Sequence, residues 1–178
     1  MNINNACSTS SMCFNIPTKY KEIELLDKGK HGIVFKAKLK NKVVAIKCKL
    51  PSSKSENTAI LEANYLKKVN ELGIGPKLIE SDNSYVVMEF IDGIRIDKFL
   101  ETATKREKEI VIKKLLEQLE KLDKFGINKM EMTNPYKHII IKNNLDPVLI
   151  DFERARFSNK TKNISQFKEY IKKHDLYL

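Results

Sequence analysis

Several absences narrow this sequence before any motif is read. No apolar stretch approaches the ~18 residues that a membrane-spanning helix needs, so no membrane partner is expected. The first residues lack a basic start followed by an apolar block, so no secretory signal is expected there. Residues 1–17 read instead as a polar, flexible N-terminal tail. Cysteine is scarce: Cys7, Cys13 and Cys48 have neither even pairing nor metal-ligand spacing. A disulfide framework is therefore excluded, a reducing cytoplasmic location is expected, and Cys48 reads as a core residue. No internal repeat is visible. Acidic residues are few beside basic ones, 23 Asp and Glu against 33 Lys and Arg, for a formal charge of +10. Such a surface attracts RNA, ribonucleoprotein or acidic partners. The lysines are spread along the chain without interleaved aromatics, which makes that support weak and a generally solvated basic surface at least as good a reading.

What is present points to one domain over residues 18–178 with an ordinary apolar fraction, 42%. The stretch Leu26 to Lys47 organises it. Gly29 and Gly32 lie between short apolar runs, and without Cβ atoms their backbone can approach a phosphate closely. Val34 follows, and then, past a lysine-rich turn, Val44-Ala45-Ile46-Lys47. On a strand, Ala45 and Lys47 share a face, so a small residue and a cation point the same way. The small residue leaves room for a flat ring, and the cation reaches that ring's phosphates.

Around this stretch the pattern predicts strands over 20–27, 32–38 and 42–49, then a loop over 50–57. A helix is expected over 58–72, with Leu61, Tyr65, Leu66, Val69 and Leu72 as its apolar stripe and Gly73 as its stop. A hairpin follows over 76–91. Thr104 and Glu107 form a capping box for a helix over 105–125, whose buried stripe is Ile112, Leu115, Leu116, Leu119 and Leu122. Residues 127–138 read as a loop, residues 139–150 as a hairpin ending at Asp151-Phe152-Glu153, and residues 165–174 as a last helix.

With these residues in order, the chain from about Tyr20 onward resembles a minimal protein kinase. The glycine pair with Val34, the Val-Ala-Ile-Lys strand and Asp151-Phe152-Glu153 carry the resemblance. It is most similar to small atypical microbial members: RIO-type kinases, the kinase of the tRNA-modifying KEOPS complex and lipopolysaccharide-core kinases. More narrowly, Ile150-Asp151-Phe152-Glu153-Arg154-Ala155 resembles the ending of a group of predicted archaeal serine/threonine kinases. The resemblance implies an α+β, two-lobed fold, with an N-lobe of antiparallel sheet and one helix over about 18–91. A reduced, mostly helical C-lobe would cover about 92–178. It also implies ATP and Mg²⁺. Leu26, Gly29, Gly32, Val34 and Ala45 would surround the nucleotide, and Lys47, paired with Glu62, would hold its phosphates. Met88 would be the gatekeeper, the backbone of Glu89 and Ile91 would bind adenine, and Asp151 would hold the metal.

The chain departs from that pattern in three places. Asp27 stands where the first glycine of the usual triplet falls, and Glu153 stands where most kinases have glycine. In the catalytic loop, His138 occupies the register of the usual asparagine and Thr133 that of the usual aspartate. Glu131 is the loop's one carboxylate. Glu131 is thus the expected orienter of an acceptor hydroxyl, and His138 a candidate to ligate metal or to contact phosphate or form plain hydrogen bonds. The short run after Asp151 leaves no activation segment for a peptide platform. The expected activity is transfer of a phosphoryl group to a serine or threonine hydroxyl of an unknown protein or small-molecule acceptor. The alternatives are a nucleotide-binding pseudokinase that regulates or assembles, and a small-molecule kinase.

Overall fold

A computed structural model describes residues 14, 16–29, 32–50 and 58–176. The fold is α+β, and the chain divides into two compact units: residues up to Asn64 with Lys77–Phe90, and Tyr65–Pro76 with Ile91–Leu178. The division falls inside a helix rather than at residue 91 alone, so residues 65–76 group with the second unit and not with the sheet.

The first unit is built on five antiparallel strands, β1 (Tyr20–Lys28), β2 (Gly32–Leu39), β3 (Lys42–Lys49), β4 (Leu78–Ser81) and β5 (Tyr85–Glu89), in the order β1-β2-β3-β5-β4. Period-two alternation gives this sheet two unlike faces. One carries Ile33, Phe35, Ala37, Val44, Ile46, Cys48 and Val87, all buried in a single apolar cluster. Full burial of each large side chain there is worth about 1.5–3 kcal/mol. Phe14 and Ile16 belong to the same cluster, and the Phe14 ring meets Phe35 edge-on at 5.5 Å. The expected tail over 1–17 is therefore corrected at its end: two apolar residues there cover the core face of the sheet. Residues 1–13 lie outside the described residues. The predicted loop over 50–57 also falls outside them, apart from buried Leu50.

The helix α1 (Thr58–Glu71) buries Ala59, Glu62, Ala63, Leu66 and Val69. Leu61, expected on the apolar stripe, is 44% exposed. Leu66 and Val69 of that stripe are buried as expected, and Ala59, Glu62 and Ala63 share the inner face with them.

The second unit contains β6 (Ile94–Arg95), α2 (Ile96–Thr102), α3 (Lys105–Lys124), β7 (Ile127–Asn128), β8 (Ile139–Ile141), β9 (Pro147–Leu149), β10 (Arg156–Phe157) and α4 (Asn163–Lys173). Strands β6, β8 and β9 form one small sheet, and β7 pairs with β10 in another. Helix α3 opens with the expected capping box of Thr104 and Glu107, and buries Val111, Ile112, Leu115, Leu119 and Leu122. Gly126, at φ +78, follows its C-cap as the left-handed stop that glycine adopts without strain. Helix α2 was not evident from periodicity: two buried residues, Ile96 and Phe99, are too few to define one. Helix α4 packs Phe167, Tyr170 and Ile171 inward. No helix among the described residues is long and apolar enough to cross a membrane.

Candidate functional site

The face of the first sheet opposite its core carries the residues singled out in the sequence. Strand pairing places Lys36, Ala45 and Met88 in one row across β2, β3 and β5, and Val34, Lys47 and Val86 in the next. Directly opposed residues share a face, so Val34, Ala45, Lys47 and Met88 lie together. Gly32 is opposite Lys49, and a Cβ on it would sit 3.1 Å from the Cys48 carbonyl oxygen and 3.6 Å from Lys47 Cε. The close neighbour is the Cys48 carbonyl of the paired strand, and the lysine stem lies at ordinary contact distance. Lys47 Nζ reaches Glu62 Oε2 at 2.8 Å, with the Lys47 side chain 17% and that of Glu62 2% exposed. A buried carboxylate is tolerable only when paired, so this contact fixes both side chains.

The turn ahead of β2 behaves differently from the expectation for Gly29. Its amide donates to the Gly32 carbonyl at 2.9 Å and so closes the hairpin, instead of facing outward. The residues between them lie outside the described residues. Leu26 sits at an irregularity in the β1–β2 register and is 45% exposed. At the end of β5, the Glu89 amide donates to the Lys77 carbonyl at 2.8 Å. Any adenine contact from the Glu89 main chain therefore falls to its carbonyl. Ile91, the other expected adenine contact, is a buried residue of the second unit.

In the second unit the segment after β7 holds the remaining candidates. Met130 and Glu131 are consecutive left-handed residues, at φ 68 and 61, and Asp151 is a third at φ 64. Each such conformation costs a non-glycine residue about 1–2 kcal/mol. The kink turns Glu131 toward the strand-end segment while Met132 fills the core completely. His138 Nε2 lies 3.2 Å from Glu131 Oε2, and His138 Nδ1 lies 3.8 Å from Asp151 Oδ2. The other Glu131 oxygen accepts from the Arg154 guanidinium. The His138 carbonyl accepts from the Ile150 amide at 2.9 Å, which ties the loop to the residue before Asp151. Glu131, His138 and Asp151 are thus brought into one chain of contacts, with Arg154 at its end. Thr133, at the register of the usual aspartate, is exposed.

One participant was missed in the sequence. Lys129 is 1% exposed, its ammonium donates to the Asp151 carbonyl at 2.9 Å, and it lies 4.9 Å from the Phe152 ring centroid. Its backbone amide donates to Asn163 Oδ1 at 2.8 Å. Asn163 is fully buried at the start of α4 and donates to both Asp123 Oδ1 and the Ile127 carbonyl at 2.7 Å. The only signal was the position of the lysine, between the apolar Ile127 and Met132 in a segment without period.

Compared with known proteins, the chain matches no family model and no curated sequence.

Proposed function

We propose that this chain is an ATP-dependent phosphotransferase of protein kinase-like fold that acts on serine or threonine hydroxyls. The observation that carries the reading is the Lys47–Glu62 ion pair on the site face of the first sheet. A strand lysine oriented by a buried helical glutamate presents a fixed cation to phosphates, which is its use in phosphoryl transfer. Ala45 and Val34 beside it supply an apolar, uncrowded surface for a base. In the second unit, Asp151 is the residue suited to Mg²⁺, a hard cation that takes carboxylate oxygen, water and phosphate. The ion would neutralise charge on the phosphates. His138 is a poorer match, since imidazole suits softer metals and its Nε2 faces Glu131. Its part is to link Glu131 with Asp151. Glu131 would orient the acceptor hydroxyl and take its proton. The reading also places the protein in the cytoplasm, where ATP is at hand.

A pseudokinase is the second reading, and it draws on the Arg154 contact: one Glu131 oxygen is already occupied by a guanidinium. Thermal shift with MgATP, followed by release of phosphate or autophosphorylation, tests both. Ligand at a hundredfold over Kd stabilises by about 2.7 kcal/mol. Turnover above a metal-free control supports the kinase, and binding without turnover supports the pseudokinase. Absence of any shift or calorimetric heat at millimolar MgATP would remove the nucleotide site altogether.

A further inference from the structure

We infer that Lys129 is a positioning residue that clamps the main chain at Asp151, a role that rests on the phosphotransferase reading for its consequence in catalysis. Lysine is almost never fully buried unless its charge is engaged. Here the ammonium is held against a backbone carbonyl, and that carbonyl belongs to the proposed metal carboxylate. The residue so held is left-handed, a conformation that persists only where surrounding contacts over-determine it. One ammonium thus meets two consecutive residues of the segment, by hydrogen bond to the Asp151 carbonyl and as a cation over the Phe152 ring.

The anchor behind it is as well defined as the contact ahead. The Lys129 amide is fixed by Asn163, which is fixed in turn by Asp123 near the end of α3 and by the Ile127 carbonyl. The Asp123 carboxylate also accepts from the amides of Asn163 and Ile164, at 3.3 and 3.2 Å. A continuous polar path therefore runs from the α3–α4 junction through Lys129 to the Asp151 carbonyl. A methionine could fill the same volume, but it could not donate to the carbonyl. The lysine sets the direction of the Asp151 side chain through the backbone, while Glu131 and His138 meet that side chain's surroundings from the loop.

The test uses the full chain with Lys129→Met and Lys129→Arg. The readouts are ATP affinity in EDTA, the gain in ATP affinity on adding Mg²⁺, and amide hydrogen exchange across residues 150–155. Lys129→Met is expected to bind metal-free ATP like the wild type and to lose the Mg²⁺-dependent gain by about 10–100-fold, the usual effect of removing an outer support from a metal ligand. Exchange at Phe152 and Glu153 is expected to rise by about tenfold, the equivalent of one lost hydrogen bond, while α3 and α4 stay protected. Lys129→Arg, which keeps a cation and donors, is expected to recover part of both. Should Lys129→Met fail to fold, Lys129→Gln, one bond shorter, reads the same quantities. Unchanged Mg²⁺ dependence and unchanged exchange in a folded variant would overturn the inference. If the wild type binds no MgATP, the phosphotransferase reading fails separately, and exchange alone decides whether Lys129 clamps the segment.

Discussion

Lys47 and Glu62 meet at 2.8 Å although their strand and helix are separated by a stretch of sequence with no apolar pattern. The carboxylate is the more buried partner, so the pair is asymmetric. Removing Lys47 would strip a cation from the more deeply buried carboxylate, whereas the Lys47 side chain itself is partly open. A helix position one turn from the N-terminus would ordinarily go to an apolar residue on this face; Leu61, next to it, was turned outward instead.

Replacing Lys47 by Met should therefore do two things at once. Nucleotide affinity should fall, and stability should fall by up to about 3–5 kcal/mol, the range for breaking a buried pair. Adding Glu62→Leu in the same chain should return most of the stability and none of the affinity. Chemical denaturation and ATP titration of the single and double variants check this. A single variant as stable as the wild type would mean that Glu62 does not rely on Lys47.

Gly93→Ala is expected to be among the most damaging substitutions in the chain. A Cβ there would lie 2.3 Å from the Ile141 carbonyl oxygen and 2.8 Å from Ile140 Cγ2. The chain entering β6 thus passes against β8 with room for hydrogen only. Overpacking costs about 1–3 kcal/mol where side chains can yield, and here the obstacle is backbone, so the upper end or beyond is expected from a denaturation midpoint. A loss below about 0.5 kcal/mol, the level of an ordinary surface change, would contradict the close approach.

The first sheet, α3 and α4 were legible because each has a strong period and clear punctuation. Gly32 opens β2, and the Thr104–Glu107 cap and Gly126 bound α3. The core role of Cys48 was legible too, and burial pushes its thiol up to about 12. What escaped was set by tertiary contacts. Phe14 and Ile16 are two apolar residues among polar ones, and only the sheet beneath them makes them core. Lys129 reads as one more lysine in a lysine-rich chain until Asp151 and Phe152 are placed beside it. Glu131 and His138 were legible as residue types, but their adjacency depends on two left-handed residues that no period announces.

Acid stability should depend on Glu80. Burial raises its carboxyl, but hydrogen bonds from Lys19 and Tyr85 and the Lys19 charge outweigh this and hold it below the ordinary value of 4.5. A group depressed in the folded state adds stability above its unfolded pKa, and that stability is lost as pH falls through the folded value. Between about pH 6 and pH 3, the wild type should thus lose more stability than Glu80→Gln, with the two curves converging at the acid end. Parallel curves across that window would show that Lys19 does not hold the carboxylate in solution.

The loop after β7 gives the sharpest test of activity. Phosphoryl transfer has a loose transition state, so orientation and electrostatics carry most of the acceleration, and a general base adds about 10²–10⁴-fold. Glu131 is 3.2 Å from His138, is engaged by Arg154, and lies in the chain of contacts that ends at Asp151. Thr133 is exposed and cannot accept a proton usefully near neutral pH. Glu131→Gln and Asp151→Asn should each lower turnover by about 10²–10⁴-fold with little loss of stability, while Thr133→Ala stays near the wild type. Arg154→Gln should leave turnover intact or raise it, since it removes the guanidinium that occupies a Glu131 oxygen. Phosphate release from MgATP, measured across the pH range 6–9 for all five proteins, separates the cases. Turnover lost with Thr133→Ala but kept with Glu131→Gln would shift the loop register. ATP binding without turnover in the wild type, and turnover gained in Arg154→Gln, would identify the Arg154–Glu131 contact as the lock on an enzyme rather than the relic of one.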